Sequence, residues 1–189
     1  MRYGIISDIH GNLEGLRASL QVLDDAGVDR IVCLGDTVGY GAEPDACCDI
    51  VRERAYKTVL GNHDAVVVDK LDARHCHAAA RRALMYAKEN ISQANYDWLA
   101  GLEYQHILED GICLSHGAPI DSEAFEYVFS LDKAATLTGY YDELEKVTFV
   151  GHSHLTTAYL VTDRMSLQVS APRFKLRPGD FYEFRLGFL

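Results

Sequence analysis

The 189-residue sequence lacks any apolar run near the roughly 20 residues that a membrane-spanning helix needs. Basic residues are also scarce: 18 Lys and Arg stand against 28 Asp and Glu, and the net charge of −10 disfavours a general nucleic-acid binder. No signal-peptide pattern opens the chain, because the charged Asp8 follows a run of only a few apolar residues. We therefore expect a cytoplasmic protein that binds neither membranes nor nucleic acids in general.

Signals for disulfide pairing are missing as well. The five cysteines are an odd number and contain no C-x-x-C pair, which argues against a disulfide framework and for a reducing compartment. Cys47 and Cys48 are adjacent and admit a redox interpretation. We favour buried, small apolar residues on a helix, because free cysteines are commonly buried.

What the sequence does contain is an alternation of short β-branched runs and helical patterns, which predicts an α/β protein. Helices are predicted after Asn12 and from Pro44, across about 72–102, and around 132–143. The predicted strands are 3–7, 31–34, 58–60, 112–115, 147–150, 158–161 and 167–169. Repeats and linkers are absent from the sequence, so we expect a single domain over residues 1–189 with a helical insert at about 72–102.

Polar clusters follow five of the predicted strands. They are Asp8 and His10, then Gly35-Asp36, then Gly61-Asn62-His63-Asp64, then His116, and then Gly151-His152-Ser153-His154. In open α/β sheets, functional sites form beyond the carboxyl ends of the strands. The five clusters are therefore expected to meet in one place.

The side chains of these clusters are typical metal ligands. Imidazole and carboxylate groups suit Mn, Fe, Zn, Co or Ni ions. A single ion would leave several buried polar groups idle, at a cost of about 1–3 kcal/mol each, whereas two ions sharing Asp36 would use them all. In extended backbone, both side chains of a D-x-H or H-x-H pair point the same way. The seven candidate ligands are Asp8, His10, Asp36, Asn62, His116, His152 and His154.

From about residue 3 to 155, these motifs resemble those of the calcineurin-like metallophosphoesterases, in particular the small bacterial and archaeal phosphodiesterase-type branch. The shared pattern is D-x-H, G-D, G-N-H-[DE], a lone His, and G-H-x-H. The resemblance implies a four-layer α-β-β-α sandwich with two mixed β-sheets. It also implies a binuclear metal site, with manganese the ion most suited to an assay.

The resemblance also implies a role for each site residue. One ion would be held by Asp8, His10, Asp36 and His154, and the other by Asp36, Asn62, His116 and His152. His63 would contact the scissile phosphate and help the leaving oxygen depart, and Asp64 would orient His63. The expected function is a phosphodiesterase or nucleotide hydrolase that acts on a small phosphoester, with a metal-activated hydroxide attacking phosphorus in line.

Two other functions stay open at this stage. The first is a Ser/Thr protein phosphatase of the same fold. The second is a catalytically inactive metal-binding scaffold, which we disfavour because His63 and all seven candidate ligands are present.

The sequence departs from the family pattern at two places. Gly39 stands where relatives often carry a second Asp, so we infer no ligand there. The segment 177–189 differs from the usual C-terminal pattern. We expect a shortened or altered C-terminus that exposes an apolar sheet edge, and a homodimer that covers this edge.

Three further positions admit two interpretations each. Tyr40 is a candidate for stacking on a substrate ring, although a tyrosine more often packs in a core. Asn12 is a helix cap in preference to a substrate ligand. His75 and His77 resemble a metal pair, but we favour surface or cap positions, in a helical stretch that roofs the pocket.

Overall fold

The computed structural model describes residues 1–109, 111–169 and 182–184. The α-helices are α1 (Leu13–Asp25), α2 (Pro44–Arg54), α3 (Asn62–Val67), α4 (Ala78–Glu89), α5 (Gln93–Ala100) and α6 (Leu131–Thr136). The strands are β1 (Tyr3–Ile6), β2 (Arg30–Cys33), β3 (Lys57–Thr58), β4 (Gln105–Leu108), β5 (Ile112–Ser115), β6 (Val147–Val150), β7 (Ala158–Val161), β8 (Ser166–Val169) and β9 (Tyr182–Phe184). Short 3₁₀ helices lie at Ala73–His75, Ser122–Ala124 and Leu137–Glu143.

Local sequence signals explain where the first helices begin and end. The side chain of Asn12 accepts a hydrogen bond from the Gly15 N–H at 2.9 Å, so Asn12 is the N-cap of α1. Gly27, at φ +61°, follows the last turn of α1. Pro44 opens α2, where its missing N–H costs nothing. The cap interpretation of Asn12 is confirmed.

The first sheet consists of β1, β2 and β3, paired in parallel in that order. Alternate residues point to opposite faces, as the pleat requires. On one face, Ile5 and Val32 pack with Leu108 and Leu114 of the other sheet. On the other face, a second cluster packs the sheet against α1 and α2; its buried members are Ile6, Ile9, Leu16, Leu20, Ile31, Cys33, Cys47 and Val51.

The second sheet is mixed and has the strand order β4-β5-β6-β9-β7-β8. One face meets the first sheet through the cluster of Leu108 and Leu114. On its other side, Tyr159 and Val161 of β7 pack with Ala134 of α6. Helices, sheet, sheet and helices thus follow one another, so the four-layer α-β-β-α sandwich is confirmed; the first sheet is parallel throughout its three strands.

Two helical regions differ in detail from the sequence prediction. The predicted insert at 72–102 divides into a 3₁₀ turn, α4 and α5, with the Ser92 hydroxyl capping α5 through the Asn95 N–H at 3.3 Å. The predicted helix at 132–143 changes after Thr136 from α to 3₁₀ geometry. Helix α3 was not predicted, because six residues are too few to show an apolar period.

The C-terminal prediction falls largely outside the described residues. Within the part that is described, β9 pairs with β6 in parallel and with β7 antiparallel. Residues 182–184 therefore lie inside the second sheet and do not form an open edge, which corrects the expectation for this stretch. Residues 170–181 and 185–189 are outside the described residues, and the homodimer stays a prediction.

The adjacent cysteines are packed into apolar surroundings. Cys47 belongs to the cluster under α1, whereas Cys48 packs with Val38, Val67 and Leu84. Burial raises the pKa of the Cys47 thiol to about 12 and that of Cys48 further. Both thiols are free and stay protonated, which supports the apolar interpretation. None of the described helices has the length and apolar character that spanning a membrane requires.

Candidate metal centre

The loops that follow β1 and β2 run side by side at the carboxyl end of the first sheet. The N–H of Asp8 donates to the Gly35 carbonyl at 3.0 Å, and the N–H of His10 donates to the Asp36 carbonyl at 2.9 Å. Because β1 and β2 are parallel, their final residues reach the same edge. These backbone bonds hold the first two polar clusters against each other.

The backbone of the site is left-handed at many of the candidate ligands. Asp8, His10, Asp36, His152 and His154 have φ values of 54°, 53°, 53°, 70° and 52°. The expectation that extended backbone aligns the D-x-H and H-x-H pairs is therefore wrong. A non-glycine residue in this region costs roughly 1–2 kcal/mol, so surrounding contacts must hold these loops in place.

Asp8, His10 and His154 form the first group of metal-ligating atoms, which all lie within 4.8 Å of one another. Nε2 of His154 lies 3.3 Å from Oδ1 of Asp8. Nε2 of His10 lies 3.1 Å from Nε2 of His154. This group brings together loops that follow β1 and β6, which belong to different sheets.

Asp36, His116 and His152 form the second group within the same 4.8 Å limit. Nε2 of His116 lies 3.3 Å from Oδ2 of Asp36 and 3.0 Å from Oδ1 of Asn62. The same Oδ2 of Asp36 lies 3.8 Å from Nε2 of His10 in the first group. Asp36 therefore stands between the groups, and the structure brings all seven predicted ligand residues together.

Backbone carbonyls orient two of the imidazoles. Nδ1 of His10 lies 3.2 Å from the Val38 carbonyl, and Nδ1 of His116 lies 2.7 Å from the Leu34 carbonyl. A carbonyl only accepts, so each Nδ1 carries the proton. Each Nε2 then faces the carboxylates and, once it carries no proton, offers its lone pair to a metal ion, which is the usual arrangement of metal-binding histidines.

The donor set fits a pair of divalent cations. Asp8 and Asp36 are 6% and 1% exposed, and buried carboxylates need a compensating cation. Ligand atoms about 2.0–2.2 Å from one ion lie about 3–3.5 Å from each other. The distances of 3.0, 3.1 and 3.3 Å measured above are of that size. The buried His and Asp groups are thus consistent with a binuclear metal site.

Charges within the two groups shift several pKa values. Burial opposes ionisation of Asp36, but the facing His116 and His63 lower its pKa well below the usual range. Burial also opposes protonation of His116, yet Asp36 and Asp8 raise its pKa to about 9. For His152, burial and the charge of His116 lower the pKa to about 3. In the metal-free protein, His116 and Asp36 thus form an ion pair, and a bound cation would take the place of the His116 proton.

His63 and Asp64 lie at the start of α3, and the ligand atoms of His63, His10 and Asp36 also lie within 4.8 Å of one another. The N–H of His63 donates to Oδ1 of Asp36 at 2.8 Å, and its ring centroid is 4.6 Å from that of His10. Asp64 is buried and accepts from the N–H groups of Val38 at 3.1 Å and Gly61 at 3.2 Å. Its hydrogen bonds anchor the loops on either side of His63, while its predicted role in orienting the His63 ring stays a prediction.

Gly39 allows the ring of His63 to occupy its position. Gly39 has φ +94°, and a Cβ there would collide with Nδ1 of His63. This Nδ1 is buried and has no hydrogen-bond partner in the described part of the chain. Gly39, where the sequence departs from the family pattern, therefore offers Nδ1 of His63 no side-chain hydrogen-bond partner.

The candidate ligands open into a pocket of about 270 Å³. Tyr40, 50% exposed and at φ 54°, contacts the rings of His10 and His63 at centroid distances of 4.8 and 4.7 Å. The described lining is His10, Asp36, Tyr40, Asn62, His63, Tyr127, His152, Ser153 and His154. Tyr40 thus lies beside the candidate ligands, and its role in substrate binding stays a prediction.

Tyr127 lines the same pocket and was missed by the sequence reasoning. Its ring stacks on His152 with a centroid distance of 3.7 Å and an interplanar angle of 17°. The only signal available was the alternation of aromatic residues at Phe125, Tyr127 and Phe129, in a segment without regular secondary structure. That alternation does not predict which of the three rings lies against the metal-ligating groups.

His77, of the second histidine pair, has a different role in the structure. Nδ1 of His77 accepts from the Ala80 N–H at 3.3 Å and caps α4. The cap interpretation is therefore confirmed for His77. Its ring lies nearly parallel to that of Tyr40, at a centroid distance of 6.5 Å. That the helical stretch roofs the pocket stays a prediction.

Comparison with known proteins agrees with this geometry. The family model described as "Calcineurin-like phosphoesterase superfamily domain" matches residues 1–170. The chain belongs to this superfamily. A metallophosphoesterase from Sphaerobacter thermophilus has a solved structure that superposes with a TM-score of 0.78 at 31% identity, covering 99% of this chain and 76% of that one.

Two further proteins are similar to this chain, one in sequence and one in fold. The protein MJ0912 of Methanocaldococcus jannaschii is 36% identical over 154 residues, which is 80% of this chain and 61% of the relative. This chain therefore aligns with less than two thirds of that relative's length. Protein PH1004 of Pyrococcus horikoshii shares the fold, with a TM-score of 0.67 at 16% identity, covering 83% of this chain and 71% of that one.

Proposed function

We propose that this protein is a metal-dependent phosphoesterase that hydrolyses phosphodiesters or nucleotides with a pair of divalent cations. The observation that carries the proposal is the position of Asp36, whose Oδ2 lies 3.8 Å from His10 and 3.3 Å from His116. A carboxylate between two sets of histidine ligands is suited to bridging two ions. Two-ion sites of this kind serve in-line displacement at phosphorus.

Each ion would have its own set of ligands in this proposal. Asp8, His10, Asp36 and His154 would hold one ion, and Asp36, Asn62, His116 and His152 the other. When bound, the cations would supply a hydroxide nucleophile at neutral pH and offset the charge of the phosphoryl oxygens. Oxygen and nitrogen donors suit Mn²⁺, and we propose Mn²⁺ for assays.

The protein's own contribution to bond cleavage is assigned to His63. Its Nδ1 is enclosed against Gly39, which leaves Nε2 as the nitrogen available to the pocket. Burial lowers the pKa of His63, so the ring is neutral in the resting protein. A neutral imidazole with its proton on Nε2 donates a hydrogen bond to the departing oxygen, a contribution worth about 10²–10⁴-fold in rate.

Tyr40 is assigned to substrate binding. It is half exposed, yet its ring is fixed between His10 and His63. Such a ring offers a substrate a flat apolar surface beside the reacting phosphate at little entropic cost. Asp64 stabilises the loops of the site by accepting hydrogen bonds from the backbone N–H groups of Val38 and Gly61.

The proposal is tested with metal-free protein prepared by chelation and then supplied with Mn²⁺. We expect turnover of bis(p-nitrophenyl) phosphate to return and to exceed that of p-nitrophenyl phosphate and of a phosphoserine peptide. The Asp36→Asn variant, measured alongside, should stay inactive. Preference for the phosphopeptide would identify a protein phosphatase, and no activity on any of the three would identify a scaffold.

A further inference from the structure

Tyr127 combines close packing on a candidate ligand with substantial exposure. Its ring stacks on His152 at 3.7 Å, yet the residue is 46% exposed and contributes to the lining of the pocket. The neighbouring Phe129 meets the Tyr127 ring edge-on at 6.1 Å. Tyr127 is therefore packed against two neighbouring rings and still has exposed surface beside the metal-ligating groups.

Tyr40 occupies the corresponding position at the other metal-ligating group. It packs on His10, which belongs to the first group, whereas Tyr127 packs on His152, which belongs to the second. Two half-exposed tyrosines from different loops thus border one pocket of about 270 Å³. A phosphoryl group at the metal centre would therefore have a tyrosine beside each of the two groups.

The charge of the residues that line the pocket restricts how many phosphate groups a substrate can carry. Neither Lys nor Arg occurs among the described residues that line this pocket. An adjoining pocket of about 550 Å³ shares His10, Tyr40 and His154 with it, and adds Asp8, Glu14 and Glu43. Further phosphate groups would meet carboxylates there without a side-chain cation to bind them. The lining favours a single phosphoryl group with uncharged arms.

We infer that Tyr127 is a substrate-binding residue that stacks on a planar arm of a phosphodiester, next to the second metal-ligating group, whereas Tyr40 lies next to the first. This inference rests on the proposed function and narrows its substrate class to diesters with a planar, uncharged arm. Stacking on an aromatic side chain accepts any flat ring and contributes on the order of tenfold in affinity. The hydroxyl of Tyr127 is not required for this contact.

Two diesters that share a leaving group but differ in the second arm measure the contribution of that arm to binding. Bis(p-nitrophenyl) phosphate has a planar second arm, and ethyl p-nitrophenyl phosphate has a small alkyl arm; both release p-nitrophenolate. For the Mn²⁺-loaded protein, we expect Tyr127→Leu to lower kcat/KM for the bis-aryl diester about tenfold, mainly through KM, and to leave the ethyl diester nearly unchanged. Tyr127→Phe should retain the wild-type preference. ATP should be a poor substrate throughout.

Tyr140 provides the matched control. It is 45% exposed and lies outside the described lining of the pocket, so Tyr140→Leu should leave both diesters unchanged. Equal losses on both diesters with loss of bound Mn²⁺ in Tyr127→Leu would overturn the inference, because Tyr127 would then only position His152. An unchanged preference in Tyr127→Leu would also overturn it. An inactive wild-type protein would instead count against the proposed function itself.

Discussion

The backbone N–H of His152 points at both carboxylate oxygens of Asp8, at 3.1 and 3.2 Å, although the two residues are 144 positions apart in the chain. Asp8 follows the first strand of one sheet, and His152 follows a central strand of the other. The same carboxylate accepts a 2.5 Å hydrogen bond from the Ser7 hydroxyl. One side chain therefore joins the two sheets at the point where the metal centre forms.

This contact makes Asp8→Asn an informative substitution. The amide oxygen still accepts from the His152 N–H, so we expect the variant to fold, but a neutral amide is a weaker metal ligand than a carboxylate. Elemental analysis of Mn²⁺-loaded protein should show less bound metal than in wild type. Asp24→Asn, at a surface carboxylate paired with Arg54, should bind metal normally. Full metal content in Asp8→Asn would contradict the ligand assignment.

His63→Ala separates catalysis from metal binding. We expect turnover to fall by roughly 10²–10⁴-fold because the donor to the leaving oxygen is lost. Metal content, measured in the same preparation, should stay nearly unchanged, since His63 is assigned no ligand role. Loss of both ions would show that His63 is a ligand and that its assigned role is wrong.

Gly39→Ala tests the close packing behind His63. The new Cβ would collide with Nδ1 of His63, and the φ of +94° is unfavourable for any side chain. We expect lower turnover together with a loss of unfolding free energy of about 1 kcal/mol or more in urea titrations. Gly139→Ala is the control, because a Cβ at Gly139 meets nothing within 4 Å. Wild-type activity in Gly39→Ala would show that the position of His63 is not critical.

Metal uptake should release protons. Burial works against the charge on His116, but Asp36 and Asp8 raise its pKa to about 9, so its imidazole is protonated at neutral pH in the metal-free protein. A ligand must give up its proton to bind metal, so apparent Mn²⁺ affinity should rise with pH up to about 9 and then level off. Calorimetric titrations near neutral pH in two buffers of different ionisation enthalpy should reveal about one released proton. Identical heats in both buffers would refute this.

The residues of the site were largely predictable from the sequence, because the polar clusters follow β1, β2, β5 and β6 directly or by one residue. Parallel strands place the residues that follow them at the same edge of a sheet, irrespective of the conformation of the connecting loops. The backbone conformation of those loops was not predictable. Asp8 and His152 adopt positive φ because the facing loops and Gly151 hold them, and such contacts arise only after the sheets pack.

Two features depended on tertiary contacts that no local pattern encodes. Helix α3 is short, and its start is stabilised by Asp64 bonds to Gly61 and to Val38, which is 26 residues away. Tyr127 belongs to a segment without regular structure and reaches the site by stacking on His152. The ends of β1, β2, β5, β6 and β7, by contrast, agree with the prediction within one residue. Strand β3 ends at Thr58, two residues earlier than predicted.

The central claim is that Asp36 joins two cations, and a crystal structure of the Mn²⁺-loaded protein with anomalous scattering data tests it most directly. Two anomalous peaks per chain, each within coordination distance of the Asp36 carboxylate and surrounded by the histidines of one group, are the expected result. A single peak, or two peaks of which one lies away from Asp36, would contradict the account.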